Sequence, residues 1–168
     1  MDMEKYHRAF GVYGIIYSSS KGLAVIKKNG GPYINRFDLP GGSLEDGEEL
    51  SLAIKREIVE ETGLTVQKYS QLGITSFKYP WDYLNYHYNQ HIAVFYDVEE
   101  LSGKIEEIAP QFDGQDSLGA VFIPLENISI RNASPLVLKA KEYLLNNRRF
   151  EDEDTIFDEW TVLENAVF

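Results

Sequence analysis

Glu57, Glu60 and Glu61 fall within five residues of one another on a segment that reads as helix, and together they offer hard oxygen donors for a divalent cation. From Glu48 to Thr62 the chain holds no Gly or Pro, and Gly63 stands where a helix-ending glycine belongs. At about 100° per residue, Leu50, Ala53, Ile54 and Ile58 share one stripe, and the three glutamates lie on or beside it. An ordinary surface helix places its acids opposite its aliphatics. Carboxylates turned inward are costly to desolvate unless they are protonated, paired or metal-bound, and Arg56 alone cannot match three of them. Mg²⁺ or Mn²⁺ suits that donor set, while a solvated acidic helix end is the alternative that the helix by itself leaves open.

The helix must be positioned by what precedes it. Arg36–Leu39 reads as a short extended run leading into Pro40, Gly41 and Gly42, where glycine permits a backbone path that a side chain would obstruct. Asp46 is placed to cap the helix, and Glu48 and Glu49 suit its first turn through the helix dipole. Glu48 is therefore structural, catalytic or both, and Gly42 and Gly63 are structural candidates.

Gly42 to Leu64 resembles the signature of the Nudix hydrolase family, G-x5-E-x7-R-E-U-x-E-E-x-G-U, with U an aliphatic residue. Gly42, Glu48, Arg56-Glu57-Ile58, Glu60, Glu61, Gly63 and Leu64 fill every specified position, nine constraints over 23 residues. The resemblance implies a single-domain α/β/α sandwich with a mixed β-sheet. It also implies hydrolysis of a diphosphate linkage in a nucleoside diphosphate joined to another moiety. Glu57, Glu60 and Glu61 would be metal ligands or, in one case, the base, with a backbone carbonyl near Gly41 joining the metal shell. Arg56 would orient a glutamate by an ion pair rather than bind metal. Relatives often take a further ligand or base, usually a glutamate, from a late loop. Between Ile108 and Phe122 this chain has none, so Asp116, then Asp113, are the substitutes.

Composition limits the partners. The 168 residues fit one domain, here 1–149, followed by an acidic and aromatic tail over 150–168. A net charge of −11 disfavours polynucleotides and anionic membranes, and would repel a small polyphosphate unless cations intervened. Zero cysteines exclude thiolate catalysis and cysteine-ligated zinc. No apolar run approaches the ~20 residues that cross a bilayer. Met1–Phe10 has no signal-peptide core, so a cytoplasmic protein is expected.

Along the chain, Met1–His7 reads as a lead-in, and Arg8–Tyr17 and Leu23–Lys27 as a hairpin of strands. Lys28–Pro32 is a breaker loop, read as a plain connector with a place beside the substrate as the alternative. After the helix, Leu64–Val66, Gln71–Lys78 and Tyr86–Val98 read as extended. Tyr79–Tyr83 between them reads as an aromatic loop, with Tyr79 and Trp81 placed to stack on a base; Arg36 is the third candidate substrate contact. Core packing is the competing role for these aromatics. His87 and His91 share one strand face about 13 Å apart, too far for one metal; they read as strand residues, with a substrate contact as the alternative. Glu99–Gly119 reads as a long polar loop, Ala120–Pro124 as the last core strand, and Ser134–Asn147 as a helix capped by Ser134. The tail from Phe150 docks on the body or on a second copy, leaving a homodimer open.

The expected substrate is a small nucleotide. ADP-ribose-like molecules compete with nucleoside triphosphates, oxidised ones included; Pro80, 16 residues beyond Leu64, is a feature described for ADP-ribose-cleaving relatives and is also an ordinary turn residue. A non-catalytic nucleotide-binding module is the alternative, which loss of a motif glutamate would mark.

Overall fold

The computed structural model describes residues 3–168; Met1 and Asp2, the start of the expected lead-in, lie outside them. In chain order the elements are β1 (Tyr6–Ile15), β2 (Tyr17–Ser18), β3 (Gly22–Lys28), β4 (Phe37–Asp38), β5 (Gly41–Gly42), α1 (Leu50–Thr62), β6 (Thr65–Tyr83), β7 (Tyr86–Ser102), β8 (Ser117–Ile123), α2 (Pro135–Leu145) and β9 (Thr155–Ile156). One sheet runs β5-β1-β7-β6-β9, and a second joins β2, β3, β4 and β8. Pairing is mixed: β1 is parallel to β7, and β5 and β6 are antiparallel to their neighbours β1 and β7. No helix among the described residues is long and apolar enough to cross a membrane.

Strand alternation divides the core into two layers. Tyr13 and Ile15 of β1, Leu23 and Val25 of β3, and Ala93 and Phe95 of β7 pack with Leu136, Val137 and Ala140 of α2. Their alternates Val12, Ile16, Ala24, Val94 and Tyr96 pack with Ala53, Ile54 and Ile58 of α1. The sheets therefore lie between the two helices, as expected for an α/β/α sandwich with a mixed sheet.

Several boundaries differ from the sequence reading. The expected first hairpin shrinks to β2 against the start of β3 (Tyr17↔Leu23, Ser18↔Gly22), while β1 lies in the other sheet against β7. The second half of β1 is buried throughout, and a strand apolar on both faces belongs inside a sheet covered on both sides. Tyr79–Tyr83 is not a loop: it completes β6, which turns through Leu84 and Asn85 into β7. Its ladder to β7 overrides the local breaking tendency of Pro80 and Asp82. The polar loop contracts to residues 103–116, flanked by longer strands. Helix α1 begins at Leu50 with Glu49 at the cap and no side-chain cap bond, so Asp46 does not cap it. Ser134 does cap α2, accepting from the Val137 amide.

The tail packs across the body. β9 adds to β6 in parallel (Phe77↔Thr155, Lys78↔Ile156), and Asn35 donates to the Leu163 carbonyl at 2.7 Å. Trp160 Nε1 donates to the Pro32 carbonyl at 2.9 Å, and its ring lies 5.1 Å from Tyr79 and 5.7 Å from Tyr33. Arg36 serves this contact, not a substrate. It is 4 % exposed, donates to the carbonyls of Ile130 and Thr161, and stacks 4.6 Å over Trp160. Trp160→Ala is expected to lower stability by about 2 kcal/mol, less than for a fully buried tryptophan. Urea unfolding followed by circular dichroism would measure it.

Candidate functional site

Two residues one helical turn apart carry the acidic face of α1 inward. Glu57 and Glu61 are 9 % and 2 % exposed, on the same buried side as Ala53, Ile54 and Ile58. They face β5. Glu61 accepts a 2.9 Å bond from the Gly41 amide, and a Cβ at Gly42 would stand 2.9 Å from both Glu57 carboxylate oxygens. Gly41 holds φ +148, and a Cβ there would meet the Val12 carbonyl at 2.0 Å, so β5 seats against β1 only without a side chain. The glycine turn thus brings backbone close to the carboxylates.

Arg56 binds this group from the outer side. Its guanidinium donates to Glu48 at 2.6 and 2.7 Å, to Glu57 at 2.9 Å and to Glu60 at 3.2 Å, and also to the Ser43 carbonyl. Glu48 is thereby tied to Arg56 rather than to the helix end, and this bond holds its carboxyl below the usual range. Glu60, the most exposed of the three motif acids, has its side chain 34 % accessible. From below, Gln115 donates to the Glu60 carbonyl and Ser117 to the Glu61 carbonyl, fixing the end of α1 to the loop before β8.

Burial makes these carboxylates poor anions as they stand. Desolvation raises Glu61 well above its ordinary value, offset in part by Lys28 and reinforced by Glu57. Glu57 is raised by the same cause, with Arg56 opposing it. Asp38, 2 % exposed, is raised by burial against Lys28, whose Nζ lies 4.0 Å away. Three buried acids therefore share Lys28 and one face of Arg56, an excess of acid that a hard divalent cation would relieve. Among the described residues no three His, Asp or Glu side chains are gathered closely enough to enclose an ion. That arrangement still fits Mg²⁺, which is ordinarily held by one or two carboxylates with water and substrate phosphate completing the shell.

A cleft of about 350 Å³ reaches Ser43, next to the glycine turn, though Glu57, Glu60 and Glu61 do not themselves line it. Lys28, Asp38 and Asp116 line one part of it. Asp116 is exposed and bonded to Lys28 at 3.1 Å. Asp113 is exposed in the same loop and does not line the cleft. An aromatic wall forms another part: Trp81 and Tyr83 stack with centroids 4.8 Å apart and planes within 5°, and His7 packs edge-on at 4.8 Å from Tyr83. Of the two expected stacking residues, Trp81 stands in this wall, whereas Tyr79 is 1 % exposed and spends its hydroxyl on Tyr33 and Asn89. Strand alternation of Phe77, Tyr79, Trp81 and Tyr83 was the signal that could have placed them on one face. Lys28, in the expected breaker loop, and His91 also line the cleft, as do Tyr13 and Tyr33, which no local pattern marked.

His91 is 5 % exposed and bonded at both ring nitrogens to tyrosine hydroxyls, at 2.8 Å to Tyr13 and 2.9 Å to Tyr33. Burial, then Lys28, lowers its pKa to about 3. A depressed histidine binds its proton more weakly folded than unfolded, so the stability it contributes is complete above the unfolded value near 6.5 and is lost as pH falls toward about 3. The wild type is therefore expected to lose stability steeply over that window. His91→Gln would be less stable at neutral pH but flatter across it, as thermal melts at stepped pH would show.

A family model described as NUDIX domain matches residues 5–146. The chain is 32 % identical over 133 residues to an ADP-ribose pyrophosphatase of Methanocaldococcus jannaschii, covering 76 % of this chain and 70 % of that protein. It is 28 % identical over 93 residues to an 8-oxo-dGTP diphosphatase of Escherichia coli, covering 54 % of this chain and 66 % of the relative. The crystal structure of a MutT NUDIX hydrolase from Burkholderia pseudomallei shares the fold, with TM-score 0.62 at 22 % identity over 81 % of this chain and 97 % of that one.

Proposed function

The chain belongs to the NUDIX family of hydrolases, and from that premise we propose that it is a Mg²⁺- or Mn²⁺-dependent pyrophosphohydrolase of small nucleotides, with ADP-ribose-like molecules as the leading substrate class. The observation that carries the reading is the pair of buried carboxylates, Glu57 and Glu61, facing the glycine turn at the edge of a cleft. Members of the family generally use divalent metals. Glu57 and Glu61 would hold the cation, with Glu60 as a further ligand or the base and the backbone at Gly41 close by. When bound, it supplies a more acidic water and offsets charge on the phosphate oxygens.

The other steps belong to the chain's own groups. The Gly41 amide fixes one oxygen of Glu61, leaving the other to bind. Arg56 keeps Glu57 and Glu60 in place and matches part of their charge. Glu60, bonded to Arg56, and Asp116, bonded to Lys28, are the two partly exposed carboxylates suited to take a proton from the attacking water. Lys28 brings a positive charge to the cleft where a phosphate would lie. The Trp81 and Tyr83 wall offers a flat apolar surface for a base, worth about 1–3 kcal/mol by analogy with other base-stacking sites.

The ADP-ribose class is supported by the Methanocaldococcus relative's activity. A second reading, hydrolysis of oxidised nucleoside triphosphates, is favoured by the Escherichia coli relative. Phosphate release with Mg²⁺ or Mn²⁺, assayed on ADP-ribose, sugar nucleotides, dinucleoside polyphosphates and normal or oxidised nucleoside triphosphates, separates them. Fastest turnover on ADP-ribose is the expected result. Silence across the panel, with nucleotide binding retained, would replace the hydrolase with a binding module.

A further inference from the structure

Six polar side chains along the cleft are linked end to end. His7 Nδ1 lies 2.8 Å from Asn89 Oδ1, and Asn89 Nδ2 donates to Tyr79 Oη at 2.7 Å. Tyr79 donates to Tyr33 Oη at 2.9 Å; Tyr33 meets His91 Nδ1 at 2.9 Å, and His91 Nε2 meets Tyr13 Oη at 2.8 Å. From Asn89 to Tyr13 every member is buried.

Such a chain has a direction, because each hydroxyl owns one proton and a neutral imidazole carries one N–H. Tyr79 accepts from Asn89 and passes its own proton to Tyr33. Tyr33, already accepting, gives its proton to its remaining partner, Nδ1 of His91. With Nδ1 accepting, the proton of the neutral ring sits on Nε2 and is donated to Tyr13. Tyr13 is then left holding a proton for which no acceptor exists among the described residues, on a side chain that lines the cleft. A tyrosine hydroxyl, with an ordinary pKa of about 10, keeps that proton at neutral pH.

We propose that Tyr13 is a substrate-binding donor, its O–H aimed into the cleft by this one-way chain to bind an oxygen of the substrate's diphosphate; the ligand's identity rests on the hydrolase reading above. The position favours the diphosphate over the base. Tyr13 pairs with Gly41, and a Cβ at Gly11 would meet both Tyr13 Oη, at 2.6 Å, and the Gly42 carbonyl oxygen, at 2.8 Å. The hydroxyl thus lies beside the turn against which Glu57 and Glu61 pack. Tyr33 and His91 act through Tyr13 and are positioning residues.

Two measurements test this. On the unmodified protein, ¹⁵N NMR of the His91 ring should show a protonated Nε2 and a bare Nδ1, and with Mg²⁺ present ADP but not adenosine should shift the Tyr13 ring carbon bearing the hydroxyl. In Tyr13→Phe, ADP and ADP-ribose should bind roughly tenfold more weakly, with adenosine unchanged; a merely structural role would weaken all three alike. A proton on His91 Nδ1, or an unshifted Tyr13 in a protein that binds ADP, overturns the donor role while leaving the hydrolase reading intact. If the unmodified protein binds neither ADP nor ADP-ribose, the ADP-ribose class falls and takes the diphosphate assignment of Tyr13 with it.

Discussion

Glu61→Gln is expected to reduce metal-dependent turnover by about a thousandfold or more while leaving the fold in place. The side chain is 2 % exposed, and the glutamine carbonyl can still accept the Gly41 amide at the position the carboxylate occupies. What disappears is the negative charge that would hold a cation. Burial already opposes that charge, so the metal-free variant should melt at or slightly above the wild-type temperature at neutral pH. Steady-state kinetics with Mg²⁺ alongside calorimetry reads both quantities. Turnover within tenfold of wild type would remove Glu61 from the site.

Gly41→Ala is expected to damage both stability and turnover. Its Cβ would meet the Val12 carbonyl oxygen at 2.0 Å and Tyr13 Cα at 2.7 Å, both backbone atoms of a strand packed between two helices. Nothing flexible can step aside, and φ +148 is strained for alanine regardless of space. A loss of about 3 kcal/mol or more follows, read as a lower urea midpoint. Turnover falls as well, because any shift of β5 moves the Gly41 amide away from Glu61. Gly47→Ala is the control: φ is also positive, +72, but nothing lies within 4 Å, so a cost of only about 1 kcal/mol is expected.

What was legible in the sequence lies mainly within one continuous segment. Glu48, Arg56, Glu57, Glu61 and Gly63 occupy one loop and one helix, and spacing alone puts Glu57 and Glu61 on the face shared with Ile54 and Ile58. The cleft is assembled differently. Tyr13, Lys28, Asp38 and His91 come from four strands, and Tyr13 meets His91 only because β1 lies parallel to β7, a register that no local pattern encodes. Arg36 stands among the expected substrate contacts, whereas it stacks on Trp160, far along the chain, a contact that no local pattern encodes. Tyr79–Tyr83 misled because Pro80 breaks the propensity of a strand whose pairing partner holds it.

The tail bears on how the molecule forms. Asn35 reaches Leu163, and Pro32 reaches Trp160, across 128 residues of sequence, while β6 and β7 close through a two-residue turn. Loop-closure entropy makes distant contacts slow to gather. Refolding should therefore produce an early species with its β6–β7 ladder complete and Tyr33 and Tyr79 still uncovered. Recovery of tryptophan fluorescence, and with it nucleotide binding, would lag behind the recovery of backbone signal.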